Sequence, residues 1–248
     1  MAGLIKRLVS RRKSKKAARE AQEAPEPPAP PPPAPPKPVK RKKILIVFYS
    51  LYGHVYKMAL AQKEGVESVE GCEAVLYQVK ETLDDEILEK MGAAPKPDVP
   101  IADPKDLVKG DGIIFGFPTR FGMMCGQMKC FFDSTGGLWK SGALVGKPAA
   151  IFTSTGTPNS GQETTPFTAV TQLAHHGMVF VPVGYTQGQD LFSNEEARGG
   201  SPWGAGCLAA ADGSRQPSEM ELSEARHQGS YFAGVVRSFD KECKKTAE

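Results

Sequence analysis

Cysteine and histidine are scarce in this chain of 248 residues, five and four respectively, and both are scattered. No CxxC pair occurs, so the spacing describes neither a disulfide framework nor a metal site, and no metal is expected. Cys125 and Cys130 are expected on one helix as reduced thiols. No apolar run approaches the length that spans a bilayer. Uniform charge is missing too. Residues 1–43 carry 13 lysines and arginines against 3 glutamates, a balance of +10, and the remaining 205 residues carry 18 against 25, a balance of −7. The formal total of +3 therefore describes neither part. Proline is as uneven, with 10 of its 21 residues between Pro25 and Pro38.

These asymmetries divide the chain into a basic arm (1–24), a proline-rich linker (25–42), a globular body (43–241) and a C-terminal tail (242–248). The linker sequence PEPPAPPPPAPPKP lacks backbone donors and has fixed φ angles, so it reads as polyproline II, a semi-rigid spacer. A docking site for a PxxP-reading domain is the other reading. In the arm, Leu4, Ile5, Leu8 and Val9 share one helical face, followed by Arg11, Arg12, Lys13, Lys15, Lys16 and Arg19. A short apolar wedge beside a polybasic run suits reversible attachment to an anionic membrane surface. The Met-Ala-Gly start lacks the myristoylation pattern. A disordered solubilising tail and a transit peptide remain open at this point. No aromatic residues are interleaved with the basic ones, so no specific nucleic-acid binding is expected.

The body alternates apolar runs with amphipathic ones. KILIVFY (43–49) is a continuous β-branched and aromatic run, as expected of a strand buried on both faces of a parallel sheet. Further strands are expected at 74–79, 111–117, 148–154 and 178–185, the last with Pro182 signalling an edge or an irregularity. One helix should follow residue 54, with Val55, Met58, Ala59, Val66 and Val69 on its inner side. Another should cover Met220–Phe239, with Leu222, Ala225, Phe232, Ala233 and Val236 inward. The expected fold is α/β, a flavodoxin-like doubly wound parallel sheet of five strands. In such sheets ligands bind at the carboxyl edge beside the topological switch point.

Three loops fall at that edge. Ser50-Leu-Tyr-Gly-His-Val55 runs into a helix N-terminus, whose free N–H groups favour a phosphate, or it is simply a turn capped by Ser50. It has no P-loop lysine and no GxGxxG, which argues against a nucleoside triphosphatase and a standard dinucleotide fold. Gly116-Phe-Pro-Thr-Arg-Phe-Gly122 offers Phe121 to a flat ring and backbone groups to its polar edge, or leaves Arg120 in solvent. Thr153-Ser-Thr-Gly-Thr157 is dense in hydroxyl and backbone donors.

Together with GQMKCFFDSTGGLWKSGALVGK, STGTPNSGQE, LAHHGMVFVPVGY and ADGSRQPSEMELSEARHQG, these loops resemble the WrbA family of flavodoxin-like NAD(P)H:quinone oxidoreductases. The resemblance runs over about residues 43–240 and leaves out the arm. It implies noncovalent FMN, a homotetramer, and two-electron reduction of quinones by NADH or NADPH, with ping-pong hydride transfer through flavin N5. Position by position, it implies that Ser50, Leu51, Tyr52, Gly53, His54 and Val55 wrap the FMN phosphate. Thr119, Arg120 and Phe121 would border the ring system, and Ser154, Thr155, Gly156 and Thr157 would continue the site. His175 corresponds to a flavin-proximal histidine and Trp139 to a tryptophan lining the substrate cavity. Tyr52 corresponds to a nicotinamide contact, and His175 or Tyr52 would assist catalysis at the quinol oxygen. TPNSGQE departs from the family's more glycine-rich loop, which unsettles the contacts of residues 158–160. The alternatives are an FMN-binding signalling or scaffold protein tethered to a membrane, or a one-electron carrier of flavodoxin type. The expected location is cytoplasmic, with peripheral membrane attachment through the arm left open.

Overall fold

In the computed structural model the described residues are 41–188, 192 and 194–239. The basic arm, nearly all of the proline-rich linker, the C-terminal tail and Cys243 lie outside them. The strand expected from KILIVFY is β1, Lys42–Phe48. It leads into helix α1 (His54–Glu67), strand β2 (Cys72–Gln78), a short helix α2 (Asp85–Lys90) and a 3-10 turn at Pro104–Lys109. Next come β3 (Gly112–Arg120), a two-residue β4 (Met123–Met124), and helices α3 (Gly126–Asp133) and α4 (Gly136–Ser141). Strand β5 (Pro148–Thr155), helix α5 (Thr164–His175), β6 (Val179–Phe180), β7 (Gly206–Leu208) and helix α6 (Glu219–Ser238) complete the body.

The strands form one sheet in the order β2-β1-β3-β5-β6, with parallel pairing throughout this path. Alternate residues of β1 point to opposite faces, as the period of two requires, and both sets are buried. Leu45, Val47 and Tyr49 pack with Ile113, Phe115, Phe117 and Ile151 against Phe131 and Phe132 of α3 and Ala169 and Leu173 of α5. Ile44, Ile46 and Phe48 pack with Ile114 and Phe152 against Val55 and Met58 of α1 and Phe232 and Val236 of α6. Helices therefore cover both faces, and the fold is the flavodoxin-like doubly wound sheet that the residue pattern predicts.

The fifth strand differs from the expectation. Instead of a run over 178–185, only Val179 and Phe180 pair with the start of β5, and Pro182 follows, a residue that cannot donate to a ladder. Pairing resumes with β7, which lies beside Thr153–Thr155 at the other end of β5. One strand position is thus shared by two fragments separated in sequence by residues 181–205. The antiparallel addition of β4 to β3 was also not foreseen. Cys125 precedes α3 as its N-cap and Cys130 lies within it; both are free thiols, as are Cys72 and Cys207.

Helices α1 and α6 meet closely through small residues. A Cβ on Gly65 would lie 1.9 Å from the carbonyl oxygen of Arg226, and one on Gly229 would lie 2.3 Å from that of Gln62. At this crossing Gln62 donates to Gln228 at 2.7 Å, and Gln228 donates to the Ile151 carbonyl at 2.9 Å. The backbone polar groups of the sheet centre are thereby tied to the helices.

Glu224, on the inner face of α6, is 1% exposed and neither of its carboxylate oxygens has a hydrogen-bond partner. Burial raises its pKa from 4.5 to about 8; Glu221 adds to the rise and the charge of Arg198 opposes it. Between pH 4.5 and about 8 the folded chain holds a proton that the unfolded chain has released, so stability falls as pH rises through this interval. The slope is about 1.4 kcal/mol per pH unit where only this group differs. Glu224→Gln is expected to flatten this leg of the stability profile, checked by urea unfolding across the interval. An unchanged slope in the variant would show that another group carries it.

Candidate functional site

The carboxyl ends of β1, β3 and β5 open together into a cleft of about 290 Å³. Its walls are Ser50, Leu51, Tyr52, His54 and Val55 after β1, Pro118–Arg120 at the end of β3, and Ser154–Gly156 at the end of β5. A fourth wall, Ala209–Gly213, follows β7.

The first wall is a helix N-terminus without a side-chain cap. Gly53 occupies the N-cap position at φ 88°, a left-handed conformation that a side chain would strain. The Ser50 hydroxyl accepts from the Tyr56 N–H at 3.2 Å, and the Lys57 N–H bonds the Gly53 carbonyl at 3.0 Å. Gly53 has no side chain to cap the helix, so Ser50 is the side chain that meets a first-turn amide, and these amides carry the positive end of the helix dipole. His54 is 4% exposed, and its Nε2 lies 2.9 Å from the Arg215 carbonyl. A carbonyl only accepts, so Nε2 holds the hydrogen and Nδ1 is the other face of the ring.

In the second wall, the Thr119 and Thr165 hydroxyls lie 2.7 Å apart, and Thr119 also accepts from the Gly122 N–H at 3.2 Å. Arg120 folds back to donate to the Thr119 carbonyl at 2.7 Å. Phe121 follows at φ 54° with its ring fully exposed, a strained setting for an aromatic residue. In the third wall Thr155 is 2% exposed and its hydroxyl has no partner. Buried hydroxyls are ordinarily satisfied, so Thr155, a residue of the cleft wall, stands out among the described residues.

Sequence reasoning left the fourth wall unassigned. Its signal was present in ADGSRQPSE, where a capped helix start follows a turn-forming Asp-Gly. The capping carboxylate does more than cap. Glu221, fully buried, accepts from the N–H groups of Gly199, Leu208 and Ser218 and pairs with Arg215 at 2.8 Å. Arg215 in turn donates to the Leu208 carbonyl at 2.7 Å, and the Ala209 N–H bonds the Thr155 carbonyl at 2.8 Å. Ala210, held between these bonds, adopts φ 64°.

The structure thus gathers Ser50, Leu51, Tyr52, His54, Val55, Thr119, Arg120, Ser154, Thr155 and Gly156 around one cleft, with Gly53 shaping its turn. Phe121 and Thr157 lie next to lining residues in sequence but are not part of the wall; the Thr157 hydroxyl bonds that of Ser160 at 2.7 Å. His175 and Trp139 are elsewhere in the chain's fold. His175, exposed, ends α5 just before β6, which pairs with Pro148 at the beginning of β5. Eight residues of β5 separate that edge from the cleft, roughly 23 Å at the rise of a strand. Trp139, 61% exposed, is on the helix that follows Thr135, whose hydroxyl bonds His176 Nε2 at 2.8 Å, so it lies at the same far edge.

Comparison with known proteins is consistent with this geometry. The family described as NADPH-dependent FMN reductase matches residues 43–189. Quinone-oxidoreductase QR2 of Triphysaria versicolor is 62% identical over 195 residues, covering 79% of this chain and 95% of that protein. The probable NAD(P)H dehydrogenase (quinone) FQR1-like 2 of Arabidopsis thaliana is 56% identical over 196 residues, 79% of this chain and 71% of that protein. The solved structure of a WrbA-like flavodoxin from Agrobacterium tumefaciens shares the fold, with a TM-score of 0.56 at 23% identity over 80% of this chain and 99% of that one.

The strain at Ala210 is open to direct measurement. Left-handed backbone costs an L-residue about 1–2 kcal/mol, and a β-branched one more. Ala210→Gly is expected to match or exceed the parent in stability, by up to about 1 kcal/mol, and Ala210→Val to fall below it by about 2 kcal/mol. Thermal unfolding reads both, and equal midpoints in the two variants would contradict the strain. With the family match over residues 43–189 and relatives up to 62% identical, the chain belongs to the NADPH-dependent FMN reductase family, and its resemblance to the flavodoxin-like NAD(P)H:quinone oxidoreductases of the WrbA group is upheld.

Proposed function

We propose that this protein reduces quinones to hydroquinones by two electrons, using bound FMN and either NADH or NADPH as donor. The observation that carries the reading is one cleft that joins a helix start, with Gly53 at its N-cap and Ser50 beside it, to the hydroxyl- and backbone-rich ends of β3 and β5. Phosphate suits the first and a hydrogen-bonding ribityl or ring edge suits the second. The relatives' names, Quinone-oxidoreductase and NAD(P)H dehydrogenase (quinone), point to the same chemistry.

In this reading Ser50, Leu51, Tyr52, Gly53, His54 and Val55 hold the phosphate through backbone N–H groups and the Ser50 hydroxyl. Thr119 and Arg120 present backbone groups to the ring edge, and Phe121 stands at the rim. Ser154, Thr155, Gly156 and Thr157 close the third side. A flavin bound there would supply the two-electron hydride chemistry that links a nicotinamide donor to a quinone acceptor. The protein then has to bind, orient and exclude water. In the same reading Tyr52, a lining residue 43% exposed, contacts the nicotinamide and donates a proton to the quinone oxygen that becomes charged on reduction.

His175 and Trp139 lie too far from their own cleft for the roles the resemblance implies. A homotetramer resolves this, because a second copy can bring its far edge to the first copy's cleft. Trp139 and Val145 are both exposed near that edge, at 61% and 49%. The body is read as cytoplasmic, and among its described residues no helix is long and apolar enough to cross a membrane. The arm is read as a reversible contact with anionic membrane, and four arms on a tetramer would reinforce one another.

Purified protein is expected to bind FMN and to oxidise NADH or NADPH when benzoquinone is supplied; a protein that cannot be loaded with FMN would sink the reading. Thr155→Val is expected to weaken FMN binding by about tenfold, the worth of a hydrogen bond to a polar ligand, while leaving the apo protein at least as stable. Light scattering is expected to give a tetramer that Trp139→Ala weakens, and a monomer at all concentrations would remove the shared-site part.

A further inference from the structure

Two walls of the cleft belong to different crossovers of the chain. The Ser50–Val55 loop follows β1, whereas Pro118–Arg120 ends β3 and leads into α3. One carboxylate, outside the cleft, bonds the residue before the first wall and the helix that follows the second. Glu81 lies just beyond β2, and its side chain is 17% exposed. Its Oε2 accepts from the Tyr49 hydroxyl at 2.8 Å and pairs with Lys96 at 2.7 Å. Its Oε1 accepts from the N–H groups of Thr82 and Leu83 and from Gln127 Nε2 at 3.0 Å.

Each partner leads to a wall. Tyr49, 1% exposed, immediately precedes Ser50. Lys96 lies 4.6 Å from the Tyr49 ring centroid and donates a second bond, 3.2 Å, to the Ser50 carbonyl. The adjoining Ala94 N–H bonds the Leu51 carbonyl at 2.9 Å. Gln127, 8% exposed, sits in the first turn of α3, just after the β3–β4 turn. Burial opposes the charge on Glu81, but these hydrogen bonds outweigh it and hold the carboxyl at about 2, ionised at any physiological pH. The carboxylate's five acceptor contacts leave it little freedom, and none of Tyr49, Glu81, Lys96 and Gln127 lines the cleft.

We propose that Glu81 is a positioning residue that sets the distance between the Ser50–Val55 wall and the Pro118–Arg120 wall, and thereby the affinity for a ligand spanning both. This rests on reading the cleft as an FMN site, with phosphate on one wall and ring on the other. A ligand tethered at two points gains from the second contact only when the spacing is right, whereas half-ligands that touch one wall are indifferent to it. Glu81→Gln preserves shape but places an amide nitrogen where an oxygen now accepts; facing Gln127 it loses that link, and facing Tyr49 it loses the Lys96 ion pair and makes the Tyr49 hydroxyl accept instead of donate.

The full chain, freed of cofactor, is titrated with FMN, with riboflavin, and with inorganic phosphate. Glu81→Gln is expected to weaken FMN by about tenfold, the loss of a charge-assisted hydrogen bond, while riboflavin and phosphate change by less than about twofold. Equal weakening of all three ligands, together with a lower unfolding midpoint, would mean that Glu81 only supports the fold, and an unchanged FMN affinity would also overturn the proposal. If Glu81→Gln does not fold, Gln127→Leu cuts the link to α3 alone and should show the same selective loss. Failure of the parent protein to bind FMN is a separate result, which strikes the flavin reading itself and this inference with it.

Discussion

Burial of β1 on both faces is the constraint from which the rest of the structure follows. Ile44 through Tyr49 are at most 1% exposed, so neither face of this strand can meet solvent. A strand of that kind needs a layer of helix on each side and a hydrogen-bonded neighbour along each edge. The chain supplies β2 on one edge through α1, which covers the face of Ile44, Ile46 and Phe48. It then returns through Val79, Ala102 and Leu107 on the opposite face to place β3 on the other edge. The direction of winding reverses beside β1, and at such a reversal the loops on the two sides diverge and leave a crevice. The cleft is therefore a consequence of where the chain turns.

Two carboxylates, Glu221 fully buried and Glu81 partly so, bond segments beside that crevice. Glu81 and Glu221 each gather backbone N–H groups and one cation, and each ties together segments far apart in sequence. Such groups tolerate burial because their acceptor capacity is filled. Glu224, one turn from Glu221, has no such partners, and it keeps a proton instead. The contrast shows that burial alone does not decide the charge of a carboxyl; the supply of donors does. The walls themselves use hydroxyls, backbone N–H groups and a helix start, with Arg120 as the cation among the lining residues. In the proposed reading such a surface suits a phosphate and a polar planar edge, as a noncovalent nucleotide cofactor requires.

Much of this was legible in the residues because it depended on local pattern. The unbroken apolar run at 43–49 implied two-sided burial, and the hydroxyl- and glycine-rich stretches after three strands marked the carboxyl edge. Pro182 warned that the last strand would be irregular, but not that it would resume some twenty-five residues later as Gly206–Leu208. That resumption depends on close approach. A Cβ on Gly204 would lie 1.9 Å from the Ile151 carbonyl, and one on Gly206 would lie 2.3 Å from that of Gly199. Glycines chosen for such contacts look, in sequence, like ordinary turn formers.

By itself the sequence determined the fold class, the order of the strands along the chain, and the family, because these follow from hydrophobic period and from motifs read in order. Only the tertiary structure decided which segments share a wall. It added Ala209–Gly213 to the cleft, set Thr155 apart as its unpaired hydroxyl, and connected Glu81 to both Ser50 and Gln127. It also placed His175 and Trp139 at the other edge of the sheet. The physical reason is the same in each case. Helical and strand periods act over a few residues, whereas a hydrogen bond between residues tens of positions apart exists only after the sheet has brought their backbones together.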